Sequence, residues 1–505
     1  MLALNILGRS YGELAQPLDY DQVAPPLFLW IVKAVTSVSG GSEAGLRGFS
    51  FVAGIAVLVL LWRVSRRMFS PEAAAAATLL AALSPTLIYY SAELKPYMGD
   101  AAIAVGLLSL AWTTGSAVRP RTREWILLAA GLIALGLSFT TPFVLATAGG
   151  YLMCHAARQG DRIRLLRIAL IASAWLLTFL LLYLLMYRDA SRGQYLQEFW
   201  TGDFFGRAGT MRQALWQFGT AITDPLPLPI GHIRMGYLLP VLLLLAAGSI
   251  RRFGWLPHLV LGSMLGLLLL ASWLGFYPVD ARLVLFLAPL TLMVVAAGLV
   301  ASLEAVRVPG PIRGVAWLGA TLACVAWTGG VHGRGPGADE GDAHAIRLAV
   351  DRPGGDAAYI LPGGGPKWVF YATDWEAPEA ERLRWFARHL TSGGAAFRNA
   401  RVPAGLVPES TDGLSAPGDS REILAYTSGA AGNGGRPAPG WAATEVRRLI
   451  RSGHPTIWLY GGAYHERDLP DLLQELGRAG GRWAEMYRDR REVIGVVAIP
   501  RVAPE

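Results

Sequence analysis

Charged residues are scarce in this chain. Only 16% of the 505 residues are charged, 53% are hydrophobic, and the mean hydropathy is +0.37. A soluble globular domain carries about 25% charged residues, so the composition is too apolar for a soluble protein. The chain is also too long for a single membrane span. The composition therefore predicts a protein that crosses the membrane several times.

Cysteine is almost absent, with only Cys154 and Cys324 in the chain. Both lie inside or at the end of apolar segments, and no Cys/His cluster has the spacing of metal ligands. This excludes a disulfide framework and a zinc motif. The sequence assigns no metal site.

Lysine is also rare. Of the 45 basic residues only Lys33, Lys95 and Lys367 are lysines, and the others are arginines. The net charge of +8 could suggest a nucleic-acid partner. However, the arginines cluster at the ends of apolar runs, where topology signals lie, so no nucleic-acid partner is predicted. In a chain that otherwise uses arginine, Lys95 draws notice, since a compact ammonium binds phosphate or carboxylate as a point charge.

Ten apolar runs have the length of membrane spans or are slightly short. The shorter ones could also be re-entrant or buried helices. The runs cover residues 46–68, 72–90, 98–116, 124–139, 142–157, 165–187, 235–250, 256–276, 282–303 and 313–329.

Arginine clusters fall on alternate connections between these runs, for example at Arg63, Arg66 and Arg67. The positive-inside rule makes those connections cytoplasmic. The opposite, outer side then receives residues 1–45, 89–100, 140–142, 188–234, 277–282 and everything after about 330. Because nothing precedes residues 1–45 to carry them across, we expect either an upstream span or a first run that inserts with its N-terminus outside.

The composition changes to glycine, proline and charge after residue 330, which is typical of a linker. Short β-rich runs at 357–361, 368–372, 422–426, 456–461 and 493–499 then alternate with amphipathic stretches near 377–391, 441–452 and 468–478. This predicts an extracytoplasmic α/β domain with a mainly parallel sheet. The predicted organisation is an outer loop with an interfacial helix (1–45), a transmembrane domain (46–329), a linker (330–355) and the α/β domain (356–505).

The segment YYSAELKPYMGD, residues 89–100, places Glu93, Lys95 and Asp100 between two apolar runs. Ionisable groups at a bilayer boundary cost free energy unless they are hydrated, paired or used on a substrate, so they are candidates for a functional site. The alternative is an ordinary hydrated loop in which Lys95 neutralises Glu93.

Three further polar segments fall on the same predicted face. Pro25 and Pro26 can open a helix whose apolar residues suit the membrane interface. Arg282 precedes an apolar run, where it either extends to lipid headgroups or holds the phosphate of a lipid-linked donor through two parallel hydrogen bonds. The four segments that could converge are LDYDQVAPPLFLW (18–30), YYSAELKPYMGD (89–100), Thr140-Thr141-Pro142 and YPVDARLVLFLAP (277–289).

These segments, together with GGSEAGLRGFS at 40–50, resemble the glycosyltransferase-C superfamily. Within it the sequence is similar to membrane enzymes related to the protein O-mannosyltransferases and the aminoarabinose transferase, over roughly residues 1–330. The resemblance implies an α-helical polytopic fold in a bacterial inner membrane. It also implies inverting transfer of a sugar from a polyprenyl-phosphate donor to an extracytoplasmic glycan, lipid or protein.

The resemblance also implies roles for particular residues. Asp100 and Asp21 would be the catalytic carboxylates, and Lys95 and Arg282 would bind the donor phosphate. Glu93 would orient Lys95, Tyr97 would hydrogen-bond sugar or phosphate, and Asp19 would face the acceptor. For Asp19 and Asp21, a turn before the first outer helix is an alternative role. Carboxylates beside a sugar phosphate can hold a divalent cation, but no metal motif identifies one.

The sequence departs from the family at its beginning. Family members carry an acidic pair with the catalytic base shortly after a first span, whereas Met1 stands at a point just beyond that pair. We therefore expect either that the true start lies upstream or that the chain is an inactive homologue. An alternative function is a protein that binds or transports lipid-linked sugars. A plain transporter is less well supported, because midplane charges and internal repeats are absent from the sequence.

Overall fold

The structure is a computed structural model of the full chain. It describes residues 2–18, 22–39, 41–115, 120–188, 200–207, 210–223, 238–307, 357–361, 423–425, 440–461, 465–488 and 493–498, with isolated residues between 312 and 346. The chain forms two compact units, which are described separately. One comprises Met1–Glu13, Leu18–Gln22 and Arg334–Glu505, and the other comprises Leu14–Pro17 and Val23–Gly333.

The larger unit is helical and is called the membrane unit below. Its helices are α2 (Pro26–Ser39), α3 (Glu43–Met68), α4 (Pro71–Ala82), α5 (Pro85–Ser91), α6 (Tyr97–Gly115), α7 (Pro120–Leu137), α8 (Thr141–Arg158), α9 (Arg162–Leu182), α10 (Met211–Thr223), α11 (Leu238–Phe253), α12 (Leu256–Trp273) and α13 (Ala288–Ala305). A short helix, α1 (Leu2–Gly8), belongs to the other unit.

Nine of the ten apolar runs coincide with helices of this unit, and the tenth, residues 313–329, lies outside the described ranges. Among the described residues, four helices are long and apolar enough to cross a membrane, or five if the bent pair α4 and α5 counts as one span. The other runs form helices that are shorter or less apolar. The predicted polytopic α-helical membrane fold is confirmed, and α2 begins at Pro26 as predicted.

Serine and proline set the breaks between the early helices. The Ser70 and Ser84 side chains accept hydrogen bonds from backbone N–H groups in the first turns of α4 and α5, and a proline follows each serine. Proline suits this position because its missing N–H would have no partner inside the helix. The second serine and proline, Ser84 and Pro85, interrupt an otherwise continuous apolar run, and the chain bends by 62° between α4 and α5.

Helix α6 lies in the core of the membrane unit, packed against α3, α7 and α8. Its buried face consists largely of small residues, which allow its neighbours to approach closely. At Gly99 a Cβ atom would lie 2.7 Å from Cε1 of Phe49 in α3, so a side chain there would force the helices apart. This close approach holds the beginning of α6 against α3.

Among its described residues, the smaller unit contains a five-stranded sheet of order β2-β1-β3-β5-β4. Strand β1 pairs in parallel with β2 and β3, whereas β5 pairs antiparallel with β3 and β4. The elements are β1 (Ala357–Ile360), β2 (Ile423–Ala425), α14 (Trp441–Arg451), β3 (Thr456–Gly461), α15 (His465–Arg478), β4 (Arg482–Arg488) and β5 (Val493–Ala498).

The predicted α/β class is confirmed for this unit, but the prediction of a mainly parallel sheet is wrong. Strand β4 was not predicted, and it forms a hairpin with β5 that places two antiparallel pairs at one side of the sheet. The predicted strand at 368–372 and the amphipathic stretch near 377–391 lie outside the described residues.

Candidate active site

The connection between α5 and α6 holds Lys95 in a tight turn. The Lys95 N–H donates to the Glu93 carbonyl at 2.8 Å, and the Lys95 carbonyl accepts from Ser50 Oγ of α3 at 3.0 Å. The Asp100 N–H donates to the Pro96 carbonyl at 2.9 Å and so continues the chain into α6. The backbone at Lys95 is therefore fixed by its own turn and by a neighbouring helix.

A second segment follows α12 and carries Arg282. The Arg282 Nε lies 3.1 Å from Asp280 Oδ1, and the same carboxylate oxygen accepts from the Arg282 backbone N–H at 3.2 Å. The guanidinium carbon lies 4.7 Å from the centre of the Trp200 ring. The carboxylate and the ring hold Arg282 from two sides, while 36% of its side chain stays exposed and accessible to a ligand.

The two segments come together, because Lys95 and Arg282 lie close enough for their charges to interact. Burial lowers the pKa of Lys95 below its ordinary value, the Glu93 carboxylate opposes that shift, and the Arg282 guanidinium adds to it. Two like charges disfavour each other in a partly buried place. An anion bound to both cations would relieve that repulsion.

Asp203 is a carboxylate of the same region that the sequence analysis did not single out. Its short 3₁₀ helix, Thr201–Asp203, docks onto the Arg282 segment, since the Val279 N–H donates to the Asp203 carbonyl at 2.7 Å. Burial and the Asp280 carboxylate raise the pKa of Asp203 above its ordinary value, and Arg282 opposes the shift. Asp203, Asp280 and Arg282 thus form one electrostatic group.

Asp100 lies deeper, in the first turn of α6. Only 4% of its surface is exposed, and its Oδ1 atom has no hydrogen-bond partner among the described residues. The Ser138 hydroxyl hydrogen-bonds to the carboxyl group and lies 3.0 Å from Thr140 Oγ1. The Thr140-Thr141-Pro142 turn therefore joins this region, as one of the four segments expected to converge.

Aromatic side chains connect the parts of the region. Tyr90 and Tyr97 meet edge to face with ring centres 5.5 Å apart, and Tyr277 meets Phe143 in the same way at 5.4 Å. The Tyr277 hydroxyl donates to the Leu283 carbonyl at 3.0 Å. Burial raises the pKa of Tyr277, with the nearby Asp100, Tyr97 and Asp280 acting in the same direction, so this ring is close to both the deep and the open carboxylates.

Five of the seven predicted site residues lie in one region of the membrane unit: Glu93, Lys95, Tyr97, Asp100 and Arg282. Asp19 and Asp21 lie outside the described residues, and all seven roles stay predictions. Other members of the region were not predicted from the sequence. Asp280 could have been found because it stands two residues before Arg282, but Asp203 lies in a long connection without a distinctive motif. The missed members are Tyr90, Ser138, Trp200, Asp203, Tyr277 and Asp280.

The region offers two cations for an anion and several carboxylates for proton transfer. Within the described ranges, no three His, Cys, Asp or Glu side chains lie close enough together to hold a metal ion.

Comparisons with known proteins agree with this architecture. Residues 23–187 match the model of a family described as dolichyl-phosphate-mannose-protein mannosyltransferase. The solved structure of ArnT from Cupriavidus metallidurans bound to undecaprenyl phosphate is similar over 100% of this chain and 94% of that one, with a TM-score of 0.50 and 14% identity. An oligosaccharyltransferase from Archaeoglobus fulgidus, tethered to an acceptor peptide, is similar over 92% of this chain and 65% of its own, with a TM-score of 0.46 and 12% identity.

No curated protein matches the chain by sequence. At 14% identity the likeness to ArnT establishes a common fold. The family match adds a sequence relation over the first helices, including the Lys95 segment. The resemblance to the glycosyltransferase-C superfamily is thereby confirmed, and the chain is a multi-pass membrane protein with the fold of that superfamily.

Proposed function

We propose that this protein is an inverting glycosyltransferase of the bacterial inner membrane. It takes a sugar from a polyprenyl-phosphate donor and passes it to a glycan, lipid or protein acceptor outside the cytoplasm, on the side that also holds the C-terminal α/β domain. The observation that carries this proposal is the convergence of Lys95 and Arg282 beside carboxylates, at the ends of apolar helices.

The donor phosphate binds between Lys95 and Arg282. Each cation has a neighbouring carboxylate, Glu93 or Asp280, that holds it in position without removing its charge. A phosphate adds charge-assisted hydrogen bonds to both and relieves their mutual repulsion. Apolar helix surfaces around the region accommodate the polyprenyl chain.

The transfer step exchanges two bonds at the anomeric carbon of the sugar. The acceptor hydroxyl oxygen attacks that carbon, and the bond to the phosphate oxygen breaks from the opposite face. The polyprenyl phosphate leaves with the bonding electron pair, and a carboxylate takes the hydroxyl proton. We assign this base role to Asp21 or Asp100, and we assign Tyr97 and Asp19 to the sugar and acceptor.

The similar proteins support the choice of donor. The family that matches residues 23–187 is described by a dolichyl-phosphate-linked sugar, and the ArnT structure contains undecaprenyl phosphate. Both names describe a long isoprenoid phosphate, which requires the combination of apolar helices and paired cations found here.

The test is a transfer assay with the full-length protein in membranes. Labelled sugars on undecaprenyl phosphate are supplied, and transfer to cell-envelope acceptors is measured for the native protein, Lys95→Met and Lys33→Met. The Lys33→Met control removes the same charge from α2. We expect transfer by the native protein and the control, and loss in Lys95→Met.

Binding of undecaprenyl phosphate is measured in parallel. Donor binding without transfer by the native protein would contradict the enzyme and favour a protein that binds or transports lipid-linked sugars. Equal behaviour of Lys95→Met and Lys33→Met would contradict the phosphate-binding role.

A further inference from the structure

A groove lies on the membrane unit far from the candidate active site. Its described lining residues come from the last turns of α3 and from α4, and its volume is about 670 Å³. Ser50 of α3 contacts the Lys95 turn, whereas the groove lies around Arg66, sixteen residues further along the helix. At 1.5 Å per residue this separation is about 24 Å, close to the thickness of a bilayer core. The lining residues are Leu58, Val59, Trp62, Arg63, Arg66, Arg67 and Thr78.

The groove is cationic at one end and apolar at the other. Arg63, Arg66 and Arg67 share one face of α3 because residues three and four apart are neighbours on a helix. All three are exposed, and the described part of the chain provides no ion-pair partner for them. Leu58, Val59 and Trp62 continue the same face toward the apolar middle of the helix.

We propose that this groove binds the headgroup of an anionic glycerophospholipid. The three arginines provide hydrogen-bond donors for the phosphate, and Thr78 lies on the opposite wall of the groove. The apolar face contacts the part of the acyl chains that is nearest the headgroup. Trp62 lies between the charged and apolar parts, where an indole ring suits the interface between headgroups and hydrocarbon.

The shape and charge of the groove favour this occupant over an acidic protein segment. The cations lie at the end of a helix that is long and apolar enough to cross the membrane, so the adjoining wall faces hydrocarbon. An acidic peptide would leave the exposed Val59 side chain without an apolar partner. A lipid provides an anionic headgroup for the arginines and acyl chains for the apolar wall. The volume of the groove lies within the range of small-molecule sites.

The test measures binding of phosphatidylglycerol to the purified full-length protein in detergent by native mass spectrometry. The variant Arg63→Gln/Arg66→Gln/Arg67→Gln is compared with Arg121→Gln/Arg162→Gln/Arg251→Gln. The control removes the same charge from three exposed arginines on other helices. We expect about a 100-fold loss of affinity in the groove variant, since each arginine near a lipid headgroup contributes roughly fivefold, and a much smaller loss in the control.

A second variant keeps the test decisive if the triple variant does not fold. Val59→Trp fills the groove without changing its charge, at a position that is 46% exposed and therefore tolerant of a larger side chain. We expect several-fold weaker phosphatidylglycerol binding.

Three results would overturn the proposal. Equal losses in both triple variants would show general attraction to a basic surface. Equal affinity for phosphatidylcholine would remove the requirement for an anionic headgroup, and displacement of phosphatidylglycerol by undecaprenyl phosphate at lower concentration would assign the groove to the isoprenoid carrier. None of these outcomes depends on transferase activity.

Discussion

Two groups of charged side chains lie at opposite ends of α6 and differ in how completely they are paired. At the C-terminal end, Arg164 donates from Nε to Glu124 Oε1 at 2.9 Å and from its two terminal nitrogens to Gln159 and to the Thr114 carbonyl. Glu124 Oε2 also lies 3.2 Å from Nε of Arg167. Here Glu124, Arg164 and Arg167 each have an opposite charge within 3.2 Å, although Glu124 Oε2 and Arg167 Nε form no hydrogen bond among the described residues.

The N-terminal end of α6 is incompletely satisfied. The Asp100 Oδ1 atom is buried without a hydrogen bond among the described residues, the Arg282 side chain is 36% exposed, and Lys95 and Arg282 repel each other. A group in which each buried charge has an opposite charge beside it joins helices, whereas a group in which two like charges repel has capacity for a ligand of opposite charge. The comparison predicts a structural role for the first group, the paired end, and a ligand-binding role for the second, the open end.

The largest expected effect is on stability, at the paired end. Glu124→Ala leaves Arg164 buried without its carboxylate, which costs about 3–5 kcal/mol of unfolding free energy. Thermal unfolding in detergent measures the loss. The control, Glu304→Ala, breaks the more exposed pair with Arg252 and should cost at most about 1 kcal/mol. A similar loss in both variants would contradict the structural role of the paired end.

The open end should show the reverse pattern. Under the proposed phosphate-binding role, Arg282→Gln removes a charge-assisted contact of about 2 kcal/mol to the donor phosphate, or about 30-fold in affinity for undecaprenyl phosphate. Its unfolding free energy should change little, because the residue is partly exposed. Arg212→Gln on α10 provides a control of equal charge. Unchanged donor affinity together with a large loss of stability would place Arg282 with the structural arginines.

A smaller effect is expected for the carboxylate that positions Arg282. Asp280→Asn removes the ion pair but leaves the guanidinium in place, so we expect at most about a fivefold rise in KM for the donor, equivalent to about 1 kcal/mol, with little change in kcat. Steady-state kinetics in native membranes measures KM and kcat separately and so tests this prediction. A collapse of kcat at unchanged KM would show that Asp280 acts on the reacting atoms instead.

The smallest effect concerns pH. Burial and Arg282 lower the pKa of Lys95, so its proton is lost at a lower pH than that of an ordinary lysine. Donor affinity should therefore be full below the lowered pKa and should decline as pH rises through it. Bound phosphate stabilises the charged form and moves the decline upward. Lys95→Arg keeps its charge at all accessible pH values and should flatten this profile; an identical profile in both proteins would contradict the assignment.

The helices were predictable because their signals are local. Length and apolarity marked nine runs that are helices, and Pro26 began α2 where expected. Strand β4 escaped prediction because its residues Arg482–Arg488 mix charged and aromatic side chains without a clear apolar period. Its place in the sheet depends on pairing with β5, so the antiparallel half of the sheet could not be deduced from a strand-by-strand pattern.

The residues of the candidate site likewise include some that local sequence signals predicted and some that they did not. Lys95 and Arg282 stood out in the sequence because charge beside an apolar run is costly unless it is hydrated, paired or used on a substrate. Asp203 did not, because its importance comes from a backbone hydrogen bond to Val279 that brings a distant loop to Arg282.

The sequence by itself determined that the chain is a polytopic helical membrane protein, because bilayer insertion depends on the length and apolarity of each segment. It also determined which charges stand at helix ends. Only the tertiary structure decided which of those charges meet, since the approach of α6 to α3 at Gly99 and the docking of the loop before α10 depend on contacts between segments far apart in sequence. Tertiary packing likewise paired Arg164 and Arg167 with Glu124 and brought Lys95 close to Arg282.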